Sequence, residues 1–193
     1  MKKRIIIAMM AVITIILAAC SSGFEGNMNR ELGDFSYTNQ QHETVTLDDI
    51  KGTPTLVNFI FTNCDTVCPP MTYNMSQVQA EIESAGIEDY QIVSFSVDPE
   101  NDTPEALQEF MSAYEMNEDK WNFLTGYSQK EIIEIALDSF QQIVADDPTT
   151  DQVVHQTFFY LINKDGTVVK SYDGITDVPT DEIVSDLKTV AKE

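Results

Sequence analysis

The run Thr55-Leu56-Val57-Asn58-Phe59-Ile60-Phe61 is β-prone from end to end and does not alternate polar with apolar residues. A strand of that kind is stable only with both faces covered, which puts it inside a layered α/β sheet. Gln91–Val97 repeats the pattern, and between the two Met71–Ser84 has helical periodicity and stops before Gly86. Strand, helix, strand is the parallel crossover unit. Thr103-Pro104-Glu105 then opens a helix to about Tyr114, with Thr as N-cap and Pro at the first helical position. Trp121–Leu124 predicts a short strand, and Ser128-Gln129-Lys130-Glu131 is a capping box for a helix to about Phe140.

Upstream, Phe35–Leu47 is expected to form a short hairpin, followed by a turn at Asp48–Gly52. Downstream, the acidic stretch Ala145–Gln152, with Asp146, Asp147 and Asp151, is expected to be a solvated loop. Thr157–Asn163, the turn Lys164-Asp165-Gly166 and Thr167–Tyr172 predict a second hairpin, and Pro179–Lys192 a closing helix. This order predicts an α/β, thioredoxin-like fold: a mixed central sheet flanked by helices, with an N-terminal β-hairpin extension.

The N-terminus sets the compartment. Lys2-Lys3-Arg4 precedes Ile5–Ala19, apolar apart from Thr14. That is short for a membrane span and has the shape of a signal-peptide core. Leu17-Ala18-Ala19-Cys20 resembles the bacterial lipobox, which implies cleavage before Cys20 and lipidation of that residue. The expected division is a signal peptide at 1–19, a lipidated tether at 20–33 and one domain at 34–193. Acyl chains contribute about 0.8 kcal/mol per buried methylene, enough for two or more to hold a domain on the extracytoplasmic face of the cell membrane. A formal charge of −21 argues against nucleic acid and against electrostatic docking on an anionic bilayer. Such acidity suits cations or basic partner patches, or solubility alone.

Setting Cys20 aside leaves Cys64 and Cys68, in the loop between the first buried strand and its helix. Sites in open α/β sheets form at the carboxyl ends of strands, and a helix N-terminus favours the thiolate. Three residues separate the cysteines. Positions four apart on a helix have Cβ atoms about 5–6 Å apart, longer than a disulfide prefers and convenient for gripping one metal ion. Spacing alone leaves metal binding, redox exchange and a structural disulfide open. His155 lies just ahead of a strand that would run beside Thr55–Phe61, so its loop would face the cysteine loop. His42, in the polar run Asn39–Glu43, is expected to be an exposed turn residue. Two thiolates and one imidazole form a soft donor set that favours copper over hard cations, although zinc accepts the same ligands.

Thr62-Asn63-Cys64 through Cys68-Pro69, then Ser96-Val97-Asp98-Pro99-Glu100-Asn101-Asp102-Thr103-Pro104, then His155 ahead of Thr157–Asn163, together resemble the Sco (SenC-type) proteins. The resemblance runs from about Phe35 to the C-terminus. It implies a thioredoxin-like fold and copper, as Cu(I) or Cu(II), bound by Cys64, Cys68 and His155. It also implies a role, as a chaperone rather than an enzyme, in building the dinuclear copper centre of cytochrome c oxidase. The partners would be the oxidase subunit carrying that centre and the membrane beneath Cys20, with no nucleic acid and a monomeric domain. The rival reading makes Cys64 and Cys68 a redox pair that reduces the subunit's copper-ligand cysteines. Asp98 would be the acidic neighbour of the site, orienting His155 or donating to the metal. Many members have Pro after the first cysteine, where this chain has Asp65. Met71 and Met75 could relay a soft ion, but at helical spacing they are expected in the core.

Overall fold

The computed structural model describes residues 24–150 and 152–192; the expected signal peptide and Cys20 lie outside them. Among the described residues, eight strands form one sheet, in the spatial order β1 (Arg30–Glu31), β10 (Thr167–Asp173), β9 (Phe158–Ile162), β4 (Thr55–Ile60), β5 (Gln91–Ser96), β6 (Trp121–Thr125), β2 (Ser36–Asn39) and β3 (Thr44–Thr46). Its centre is β4 (Thr55–Ile60), in which every residue is buried. β4 pairs in parallel with β5 (Gln91–Ser96), from Thr55 opposite Gln91 to Ile60 opposite Ser96. On its other side it pairs antiparallel with β9 (Phe158–Ile162), Val57 lying opposite Tyr160. β6 (Trp121–Thr125) continues the parallel set beyond β5, and β10 (Thr167–Asp173) pairs antiparallel with β9. The expected N-terminal hairpin is present as β2 (Ser36–Asn39) and β3 (Thr44–Thr46), attached through β2 to β6.

Residues alternate across a strand, so β4 serves two layers. Phe59 meets Phe140 edge-on at 5.2 Å, at the end of a helix whose Ser128–Glu131 capping box is formed. The opposite face is left to a second layer containing the crossover helix and the C-terminal helix (Thr180–Val190), which contact each other. The C-terminal helix is held to β10 by Lys170, whose Nζ lies 2.6 Å from Asp186 and 2.7 Å from Glu182.

Four segments differ from expectation. The helix after β4, α2 here, starts at Cys68 rather than Met71, because Pro69 and Pro70 occupy a first turn that needs no N–H donors. A preceding one-turn helix, α1 (Leu47–Ile50), takes the place of the expected turn, with Thr46 and Asp49 capping each other. The expected acidic loop forms the tip of a small hairpin, β7 (Val144–Asp146) and β8 (Val153–His155), whose valines supply strand propensity on either side of it. The stretch expected to be tether is pinned from Asn27 onward. Asn27 bonds both backbone groups of Ser171, Met28 N–H donates to Val169, and β1 (Arg30–Glu31) pairs with β10. Gly26 is required there, since a Cβ would sit 2.7 Å from the Val169 carbonyl oxygen.

One buried carboxylate ties the strand ends that carry the cysteine loop. Asp102, fully buried, accepts from the Thr62 N–H at 3.1 Å, the Thr62 hydroxyl at 2.6 Å and the Ser96 hydroxyl at 2.5 Å. Its own carbonyl accepts from Thr125 at 2.6 Å. Removing the carboxylate leaves buried donors without an acceptor. Asp102→Ala is therefore expected to lower unfolding stability by about 2–4 kcal/mol in denaturant titrations, with Asp102→Asn costing less. A loss within about 0.5 kcal/mol, the range of an ordinary surface substitution, would contradict this role.

Candidate metal centre

β4 ends at Ile60, and the chain passes through a partly buried loop before α2, the helix Cys68–Ser84, begins. Cys64 sits in that loop and Cys68 is the first helical residue; both are free thiols and both are buried. The Cys68 N–H, one of the donors a helix start leaves unpaired, points at the Cys64 sulfur 3.3 Å away. The cysteines are therefore not equivalent. The Cys64 thiol is pulled down to about 3, chiefly by the hydrogen bond from the Cys68 thiol, with His155 and the backbone N–H groups of Cys68 and Thr66 adding to it against the effect of burial. Burial, followed by the neighbouring Cys64 sulfur, pushes the Cys68 thiol well above its ordinary range. The first ionisation of the pair therefore falls on Cys64, and the proton is retained on Cys68.

The third donor arrives from the other side of β4. Because β9 runs antiparallel to β4, the joint between β8 and β9 falls at the carboxyl end of β4, over the cysteine loop. His155, the last residue of β8, is half-buried there, with its ring edge-on to Phe61. Its Nε2 lies 3.3 Å from the Cys68 sulfur, and its Nδ1 lies 3.0 Å from the Gln156 carbonyl oxygen. A carbonyl can only accept, so Nδ1 carries a proton, and the ring turns its Nε2 toward the sulfurs. The ligand atoms of Cys64, Cys68 and His155 all lie within 4.8 Å of one another. Cys64 and His155 line an open cleft of roughly 420 Å³, with Cys68 fully buried behind them. Gln152 closes the hairpin onto the loop by donating to the Asn63 carbonyl at 2.9 Å.

The other sequence candidates are placed elsewhere. Asp98 is not the partner of His155: its carboxylate accepts from the Asn101 side chain at 2.9 and 3.0 Å, and its carbonyl accepts from the N–H groups of Asn101 and Asp102. An aspartate in the tight turn after β5 is used up by that turn. His42, with φ of 62°, occupies the β2–β3 turn beside Glu105 and does not join the cysteines. Met71 and Met75 are fully buried in the core. Residues the sequence did not flag are Gln152, Gln156 and Asp102, whose polar side chains look like surface positions until the loops around them are placed.

A thioredoxin-like sheet with two thiols and an imidazole converging at the carboxyl end of its central strand defines a protein built to hold one soft metal ion or to exchange thiols. The family model described as SCO1/SenC matches residues 25–192. The SCO1 protein homolog of Bacillus subtilis is 46% identical over 180 residues, covering 93% of each chain. The solved structure of BsSco, a protein with a disulfide switch and a member of the Sco family of cytochrome c oxidase assembly proteins, aligns with a TM-score of 0.80 at 46% identity, covering 87% of this chain and 98% of that one. Bradyrhizobium japonicum ScoI with copper bound aligns with a TM-score of 0.68 at 27% identity, covering 86% and 98%. The chain belongs to the SCO1/SenC family.

The asymmetry of the two thiols is directly measurable. In the reduced protein at pH 5, a brief pulse of iodoacetamide is expected to label Cys64 and spare Cys68, as read by mass spectrometry of peptides. Equal labelling of both, or labelling of Cys64 only above pH 8, would contradict the assignment.

Proposed function

We propose that this chain is a copper-binding metallochaperone, lipid-anchored through Cys20 on the extracytoplasmic face of the cell membrane. In this reading it assists assembly of the dinuclear copper centre of cytochrome c oxidase, with Cys64, Cys68 and His155 as the copper ligands. The observation that carries the reading is the convergence of three soft or borderline donor atoms within 4.8 Å at the edge of an open cleft. Copper bound to a family member and the oxidase-assembly description of another support it. The donor set fits the ion: thiolates and a neutral imidazole suit copper in either oxidation state, and the cleft leaves a side open for transfer. The partner would be the oxidase subunit that receives the metal, met by a monomeric domain tethered close to the membrane.

A second reading, thiol–disulfide exchange with that subunit's cysteines, is favoured by one observation. Cys64 lines the cleft and accepts the Cys68 N–H, while Cys68 is fully buried behind it, the arrangement of an attacking and a resolving sulfur. The two readings separate at His155, which copper binding needs and exchange does not.

Anaerobic titration of the reduced full-length protein in detergent is expected to give one copper per chain. Cys64→Ala, Cys68→Ala and His155→Ala should each weaken it by at least about 100-fold, roughly 3 kcal/mol. Unchanged affinity in His155→Ala would rule out the three-ligand site. Binding by both sulfurs as thiolates must also displace the proton that burial holds on Cys68. Affinity should accordingly rise with pH, by about tenfold per unit, with about one proton released per ion. Affinity that falls or stays level from pH 7 to 9 would contradict the assignment of the proton to Cys68.

A further inference from the structure

His155 owes its aim to a carbonyl group, and that carbonyl is itself held from the protein interior. After the Gln129–Phe140 helix, Gln141 adopts a left-handed conformation with φ of 56°, and the next N–H, that of Gln142, returns to the Ala136 carbonyl at 2.9 Å. This turn drives the Gln142 side chain inward, where it is fully buried. Its Nε2 donates to the Gln156 carbonyl at 2.9 Å, the same oxygen that accepts from His155 Nδ1 at 3.0 Å. Its Oε1 accepts from the hydroxyl of Tyr160, also buried, at 2.7 Å. The amide orientation is fixed by chemistry, since the reverse would set its oxygen against a carbonyl oxygen. The Gln156 side chain is tied down as well, accepting from the Ile143 N–H at 3.3 Å.

We propose that Gln142, oriented by Tyr160, is a positioning residue for the metal site: it fixes the Gln156 carbonyl and so holds His155 in the Nδ1–H tautomer with Nε2 facing Cys64 and Cys68. A buried glutamine with both ends satisfied costs little to keep and defines one geometry, whereas a carbonyl facing only the imidazole could swing toward the open cleft. Partners of this kind orient ligating histidines and set their basicity. The part of the proposal that concerns copper rests on His155 being a ligand. The part that concerns the tautomer does not.

The test uses the reduced full-length protein in detergent and the double substitution Gln142→Met with Tyr160→Phe, which keeps the volume and leaves no orphaned hydroxyl. In the metal-free protein, long-range proton–nitrogen NMR of the histidine rings, assigned with His155→Ala, is expected to show the Nδ1–H tautomer. In the variant it should show a mixture. Copper affinity should fall roughly 10- to 100-fold in the variant, with weaker nitrogen hyperfine coupling in the Cu(II) spectrum. In a His155→Ala background the same pair of substitutions should change copper affinity less than about twofold, because the group it positions is gone. Equal losses in both backgrounds, or an unchanged tautomer, would overturn the proposal. If His155→Ala alone left copper affinity intact, the ligand reading would fail while the tautomer measurement still decided the role of Gln142. Should the double variant not fold, Tyr160→Phe alone carries the test, and a tautomer ratio identical to that of the unaltered protein would overturn it.

Discussion

Antiparallel pairing of Phe158–Ile162 with Thr55–Ile60 decides where chemistry can occur in this protein. Two segments nearly ninety residues apart in sequence meet at one strand end because of it. One delivers a loop with two sulfurs, the other a hairpin ending in an imidazole. If the pairing slipped by one residue, every side chain of Phe158–Ile162 would change face, and the buried Phe159, Tyr160, Leu161 and Ile162 would lose their layers. The apolar pattern on both faces therefore protects the site's geometry without any site residue taking part in it.

Around that frame, three polar side chains or carbonyls hold the loops of the site in place. Asp102 gathers the strand ends beneath the cysteine loop, Gln152 closes the hairpin over it, and the Gln156 carbonyl receives the Nδ1 proton of His155. The two sulfurs are made different by position alone. Cys64 accepts a helix-terminal N–H, while Cys68, as the first helical residue, is shut away from water. A site so built favours a single negative charge, on Cys64, before any cation arrives. That is less costly in a buried setting than two, and it leaves the second proton to be exchanged for metal.

Much of this was legible in the sequence, for identifiable reasons. Thr55–Phe61 and Gln91–Val97 are short β-prone runs rich in apolar residues, and Thr103 and Ser128 are N-caps with their partners at fixed spacing, so the strands and helices could be read locally. Cys64, Cys68 and His155 were visible because those residue types are scarce. Other parts depend on contacts between distant segments. The acidic stretch after Ala145 hides a hairpin whose valines pair only once folded, and the pinning of Asn27 on Ser171 joins positions that nothing local connects. Asp98 drew attention because it is charged and ends a strand, yet its carboxylate is spent on Asn101. Gln142 gave no signal at all: a glutamine after a helix looks solvated, and only the left-handed turn at Gln141 carries it inside.

The central claim is that Cys64, Cys68 and His155 together hold one copper ion. X-ray absorption at the copper edge of the reduced, copper-loaded protein tests it most directly. The account predicts two sulfur scatterers and one imidazole nitrogen, with the nitrogen lost in His155→Ala and one sulfur lost in each cysteine variant. A first shell without sulfur, or one that His155→Ala leaves unaltered, would contradict it.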